Sequence, residues 1–156
     1  MKGFVIAQVG HVVQALAPVN ASGGKTAQAF SMEAHQHVSI LILLGAQAAQ
    51  MTSIRVNACT DAAGDNPTLI PFNVWKAESA NVDVLGLRTP VASSGFQPTG
   101  TGGTFYVIEL DTTELPQGSP YVQVVIANGA NADYVAVAAI LSGARDAYES
   151  SPTVCI

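Results

Sequence analysis

The stretch Thr104–Asn128, TFYVIELDTTELPQGSPYVQVVIAN, constrains this chain most, because it can only be strand, ordered connector, strand. In its first half Tyr106, Ile108 and Leu110 share one face, with Phe105, Val107 and Glu109 on the other. In its second half Val122, Val124 and Ile126 alternate with Tyr121, Gln123 and Val125. Both runs are rich in β-branched and aromatic residues, which fit a pleated, half-buried surface. Between them, Asp111 and Glu114 have the spacing of a capping pair for one helical turn. Pro116 stops that turn, and Gly118 with Pro120 redirects the chain.

The same period of two recurs elsewhere. His37–Leu44 is the most apolar run, with Val38, Ile40, Ile42 and Leu44 on one face. Leu41 and Leu43 are apolar on the other, which predicts a central strand or one whose outer face is covered. Thr52–Cys59 alternates cleanly, and Leu69–Ala77 is a further strand that Pro71 makes edge-like or irregular. Asn81–Val91 predicts a shorter extended segment, and Tyr134–Leu141 a final strand whose alanines allow close approach of another layer. Gly45–Gln50 reads as a connector with room for a helical turn. Alanine is common enough to favour helix, but it is interleaved with Gly and β-branched residues, and no amphipathic helix longer than a turn or two can be drawn. The expected fold is all-β, an antiparallel β-sandwich in one domain.

Within that domain, residues 29–145 form the predicted sandwich and 146–156 a polar C-terminal tail. Residues 1–28 contain short β-leaning segments, Phe4–Val9 and His11–Leu16, then the flexible loop Asn20–Lys25. They read as an N-terminal arm docking on a neighbour or as an edge strand of the main sheet. Phe4, Ile6, Val12 and Leu16 are too apolar for a free solvated tail. The start of the chain imitates a secretory signal, yet Gln8, Gly10, His11 and Gln14 interrupt the apolar core such a signal needs. No segment approaches the roughly 20 apolar residues of a membrane-spanning helix.

A chain of 156 residues supports one self-sufficient core. Charged residues are only 11% against 49% apolar, where a soluble chain typically has about 25% charged. That deficit points to surface buried between subunits; the alternative is a monomer solvated by Ser, Thr, Asn and Gln. Net charge is −5, and the six basic residues are scattered singly. A nucleic-acid binder needs a clustered basic footprint, so neither DNA nor RNA is expected as a direct partner.

No catalytic, cofactor or metal site is expected. Gly24-Lys25-Thr26 ends like a phosphate-binding loop but has Val19 where that loop needs its first glycine. Glu33, His35 and His37 share one strand face and are the most serious metal candidate. A cupin-like site would also need a later glutamate and histidine, and no histidine follows His37. Ser142-Gly143 lacks the glycine that precedes a nucleophile elbow. Cys59 sits in a strand pattern, and Cys155 lies next to the chain end. Asp61, Asp65 and Asn66 match a calcium loop only in part. Glu109 and Asp111 read as a carboxylate pair solvating a strand end.

Three passages carry a family resemblance: SMEAHQHVSILILLGAQAAQMTSIRVNACTD (31–61), FYVIELDTTELPQGSPYVQVVIANGAN (105–131) and ILSGARDAYESSPT (140–153). In pattern and order they resemble the head decoration, or cement, proteins of tailed bacteriophages. The resemblance implies a jelly-roll-like sandwich, a homotrimer, and a non-enzymatic role on the capsid exterior of the virion. The major capsid protein would be its partner, and synthesis would take place in the host cytoplasm. The low count of basic residues is a departure from the family pattern, because an acidic decoration protein needs a capsid surface that tolerates it. A neck or tail component of the same virion is a second structural reading, and a small metal- or sugar-binding jelly-roll domain is the reading from another class. Candidate subunit or capsid contacts are Phe4, Ile6, Val12, Leu16, Leu41, Leu43 and Tyr134.

Overall fold

Alternating apolar residues need a second layer to cover them, and the chain provides it by folding back between two sheets. The computed structural model describes residues 3, 5–79, 83–99 and 102–145. A single helical turn, α1 (Ile6–Val9), precedes β1 (Gly10–Asn20), β2 (Lys25–Thr26), β3 (Phe30–Ser31) and β4 (His35–Leu44). Then come β5 (Ser53–Cys59), β6 (Thr68–Leu69), β7 (Phe72–Ala77), β8 (Thr89–Val91) and β9 (Phe105–Asp111). A 3₁₀ turn (Thr112–Glu114), β10 (Tyr121–Ala127) and β11 (Tyr134–Ala144) complete the order.

One sheet runs β1-β11-β4-β9-β7-β8, and the other β2-β10-β5-β6 with β3 also on β10. Every paired strand is antiparallel. The order β1-β11-β4-β9 facing β2/β3-β10-β5-β6 is that of a jelly roll, with β7 and β8 added beyond β9. Between the layers lie Val38, Ile40, Ile42, Ile108, Val137 and Leu141 from the larger sheet, facing Ile54, Val56, Val122, Val124 and Ile126, all buried. Phe96 closes one side, with its ring 5.0 Å from Tyr106 and 6.2 Å from Phe72.

The organising unit folds as its pattern predicts. Asp111 and Glu114 form the reciprocal capping box around the 3₁₀ turn, with Asp111 N donating to Glu114 Oε2 at 2.8 Å. Other segments differ. Residues 45–52 form bends without a helical turn; of the expected segment Asn81–Val91, residues 81 and 82 lie outside the described residues, and of 83–91 only Thr89–Val91 is strand. Leu87 there is 90% exposed. Ile6–Val9 is helical rather than extended.

Of the two readings of the first 28 residues, Gly10–Asn20 adopts the edge strand. It pairs with β11 from Gly10↔Ser142 to Asn20↔Tyr134, with register shifts either side of Leu16. Val13 and Ala15 point into the core, as do Ala21 and Ala27 beyond. The physical reason is burial on the inward side of the segment, which an arm leaving the fold would forgo. Any arm is therefore confined to residues before Gly10. Phe4 and the tail 146–156 lie outside the described residues.

Three loops meet at one end of the sandwich. Asp133, between β10 and β11, is 0% exposed. Its Oδ1 accepts from Ala48 N at 2.6 Å and Ala49 N at 3.1 Å, pinning the β4–β5 loop. Its backbone carbonyl accepts from Ala21 N at 2.7 Å, tying in the β1–β2 loop.

Candidate interaction face

Strand register assembles the most distinctive surface of the molecule. On the outer side of the six-stranded sheet, Gln14, Ala138, Leu41, Val107 and Trp75 lie in one row across β1, β11, β4, β9 and β7. The next row holds Ala136, Leu43 and Phe105, and the row on the other side Val12, Ile140, Ser39, Glu109 and Asn73. Because the intervening positions are committed to the core, these side chains must face outward. Leu43 is 47% and Val12 53% exposed, and Leu41, Phe105, Val107, Trp75 and Ile140 are half-buried. The middle of the face carries no charge.

Its polar margin is built by His37. His37 Nε2 lies 2.7 Å from Glu109 Oε2, and Nδ1 lies 2.8 Å from Asp111 Oδ1. Ser39 Oγ donates to the same Glu109 oxygen at 2.7 Å. Two carboxylates on two ring nitrogens require both nitrogens to donate, which only the imidazolium can do. Burial works against that charge, but the hydrogen bonds and charges of Asp111 and Glu109 outweigh it and raise the His37 pKa. Glu109 and Asp111 thus clamp a histidine rather than merely solvating a strand end.

The outer side of the other sheet is different in kind. Tyr121, Gln123, Val125 and Ala127 pair with Cys59, Asn57, Arg55 and Ser53, a mostly polar surface. The turn after β5 packs over part of it, where Gly64 leaves no room for a Cβ beside Gln123 Nε2.

The remaining candidates separate. Glu33 accepts from Ser31 Oγ at 3.3 Å, whereas His35 is buried with its ring stacked 5.9 Å from that of His11. Burial and the neighbouring His11 push the His35 pKa down. With His37 held by carboxylates, Glu33, His35 and His37 do not converge on one point, and among the described residues no three His, Cys, Asp or Glu form a metal cluster. Lys25 and Thr26 form a strand on β10, so Gly24-Lys25-Thr26 opens no helix. Asp61 Oδ1 accepts from Asp65 N at 3.1 Å and closes a turn. Cys59 is buried, its thiol pKa raised by burial and then by Asp61 and Asp65, so it is poorly suited to nucleophilic work.

Of the interface candidates, Val12, Leu41 and Leu43 come together on the outer face. Tyr134 stands at its end, 48% exposed and paired with Asn20. Ile6 is exposed on α1, apart from them in sequence, and Leu16 packs partly against the core. Phe105, Val107, Trp75 and Ile140 were missed as contacts, although their alternation with core positions places each on the side opposite the core.

No protein-family model and no curated protein matches this chain. Among solved structures, the crystal structure of SPBc2 prophage-derived protein YomS is similar with a TM-score of 0.46 and 13% identity, over 85% of this chain and 91% of that one. A likeness of that size does not establish a shared role.

Proposed function

We propose that this chain is a structural virion protein of the decoration type: a homo-oligomer, trimeric by family resemblance, that binds the major capsid protein on the exterior of a tailed-phage head. It acts through protein contacts alone and performs no catalysis. The observation that carries the reading is the apolar, uncharged middle of the outer face of the six-stranded sheet, set against a mostly polar outer face on the other sheet. Such one-sided faces are rare on monomers and mark association surfaces. The jelly roll and the sequence resemblance support the same reading.

Symmetry limits how copies can meet. Face against identical face closes as a two-fold dimer, whereas a trimer requires the face to meet a different surface of the next copy. The test is Leu43→Asp, alone and with Leu41→Asp, measured by light scattering and by co-sedimentation with undecorated heads. The wild type should have a mass near three subunits and sediment with heads. The variants should lose one or both while melting within about 2 °C of wild type, since surface changes cost little stability. A wild type that stays monomeric at high concentration and ignores heads would overturn the proposal.

A further inference from the structure

The five-stranded sheet carries a hollow of about 480 Å³ across β2, β10 and β5. Arg55 and Lys25 both line it, beside Thr26, Val125 and Ala127, and no acidic residue does. Among the described residues the ion pairs are His37 with Glu109, His37 with Asp111, and Lys76 with Glu78, so neither Arg55 nor Lys25 has a counter-ion. Arg55 Nε is also buried and without a hydrogen-bond partner. A guanidinium keeps its charge, and a buried donor left unpaired costs stability. The stem of Arg55 is fixed in advance: a Cβ on Gly95 would fall 2.5 Å from Arg55 Cγ, so only glycine lets it pass. A cation held in place before its partner arrives costs less entropy on binding. Asn128, also on the lining, gives its amide donors to Ala21 O at 3.3 Å and Asn131 O at 3.2 Å, which leaves an anion to Arg55 and Lys25.

The same chain carries a counterpart. In the loop between β7 and β8, Val84 is 71%, Leu85 40% and Leu87 90% exposed. Three exposed apolar side chains so close together exceed the single ones that any surface tolerates. Asp83 precedes them and is exposed. Among the described residues it is the one side-chain carboxylate without a partner: the others are hydrogen-bonded, ion-paired or, for Asp65, acting on the Cys59 thiol. Gly86 N donates to Lys76 O at 2.9 Å, which fastens the loop to β7. Arg88 ends the loop, and like charge would keep it from the hollow, so Asp83 has to lead. Thr26 and Thr52, on the lining, are exposed. Small-molecule sites usually bury most of their ligand, whereas a hollow with such a lining suits a side chain presented from outside. A net charge of −5 disfavours a polyanion there.

We propose that the loop 83–88 of one copy docks in the Arg55–Lys25 hollow of the next, with Asp83 meeting the two cations and the apolar side chains covering Val125 and Ala127. The inference rests on the self-association in the proposed function and names the surfaces that carry it. Loop and hollow are different surfaces, so the contact runs head to tail and can close a ring. It leaves the apolar outer face of the six-stranded sheet free for the capsid.

The experiment is light scattering of the full chain over a concentration series, with melting temperature as the check on folding. Asp83→Arg and Leu87→Asp lie on an exposed loop and should melt within about 2 °C of wild type. Each should nonetheless weaken association about tenfold or more. Arg55→Glu should weaken it likewise, and Lys25→Glu takes its place throughout if that variant does not fold. Asp83→Arg combined with Arg55→Glu reverses the charge on both sides of every contact and should associate more tightly than either single variant. A double variant that does not, as independent losses would give, overturns the proposal. So do loop variants that associate like wild type, and so does a loss confined to the loop or to the hollow alone. A monomeric wild type overturns it too; if that monomer still sediments with undecorated heads, the decoration reading stands without it.

Discussion

Two histidines two residues apart on one strand are tuned in opposite directions. His37 has a raised pKa, so the stability it contributes is complete below the ordinary value of 6.5 and is lost as pH rises through its folded pKa. His35 has a lowered pKa, so its contribution is complete above 6.5 and is lost as pH falls towards its folded value. The two together give a stability maximum near pH 6.5. Melting temperature followed through that region should show a dome in the wild type. His37→Gln should remove its alkaline shoulder and His35→Gln its acid one; a wild-type profile without curvature would contradict both assignments. Sequence alone placed Glu109, Asp111 and His37 on strands but could not pair them, because a separation of 72 positions between His37 and Glu109 hides their adjacency. Asp133 was illegible for a related reason. An aspartate in Gly-Ala-Asn-Ala-Asp reads as turn polarity until the loop it pins is known.

Among the elements, the long alternating strands were legible because both faces of each one announce themselves, as in β4, β5, β9 and β10. Two-residue strands such as β2, β3 and β6 have no period to read, and partners fix them. β1 lay between, since its register shifts beside Leu16 break the alternation that would have identified it. Deleting residues 1–9 should therefore leave a cooperative melt, whereas deleting 1–25 should strip the edge from β11 and uncover Val137 and Leu141. Circular dichroism melts of the two truncations test this, and a folded, soluble 1–25 deletion would return β1 to the status of an arm. The loop before β9 is fastened comparably: Gly95 has φ +84°, and a Cβ there would fall 2.3 Å from Ile54 O. Phe96, next to it, bridges to Ile54. Gly95→Ala combines a left-handed backbone with a backbone clash and should cost about 2–4 kcal/mol, read from the urea midpoint.

Over the whole molecule, the first and last long strands are neighbours: β1 begins opposite the far part of β11, at Gly10↔Ser142. The sandwich is therefore entered and left at one corner, beside the His37 margin and away from the Asp133 loops. A tension applied between these two points would pull at the end of a single ladder. It would part the rungs in succession, from Gly10↔Ser142 towards Asn20↔Tyr134, without shearing the other sheet. Resistance to such a pull is low and gradual, because one pair of rungs carries the load at a time. A load entering instead through the opposite loops and leaving at this corner would run along β4 and β11, and many rungs would have to break together. The same chain is thus soft along one line of force and stiff along another, and its anchoring points decide which of the two a neighbour feels.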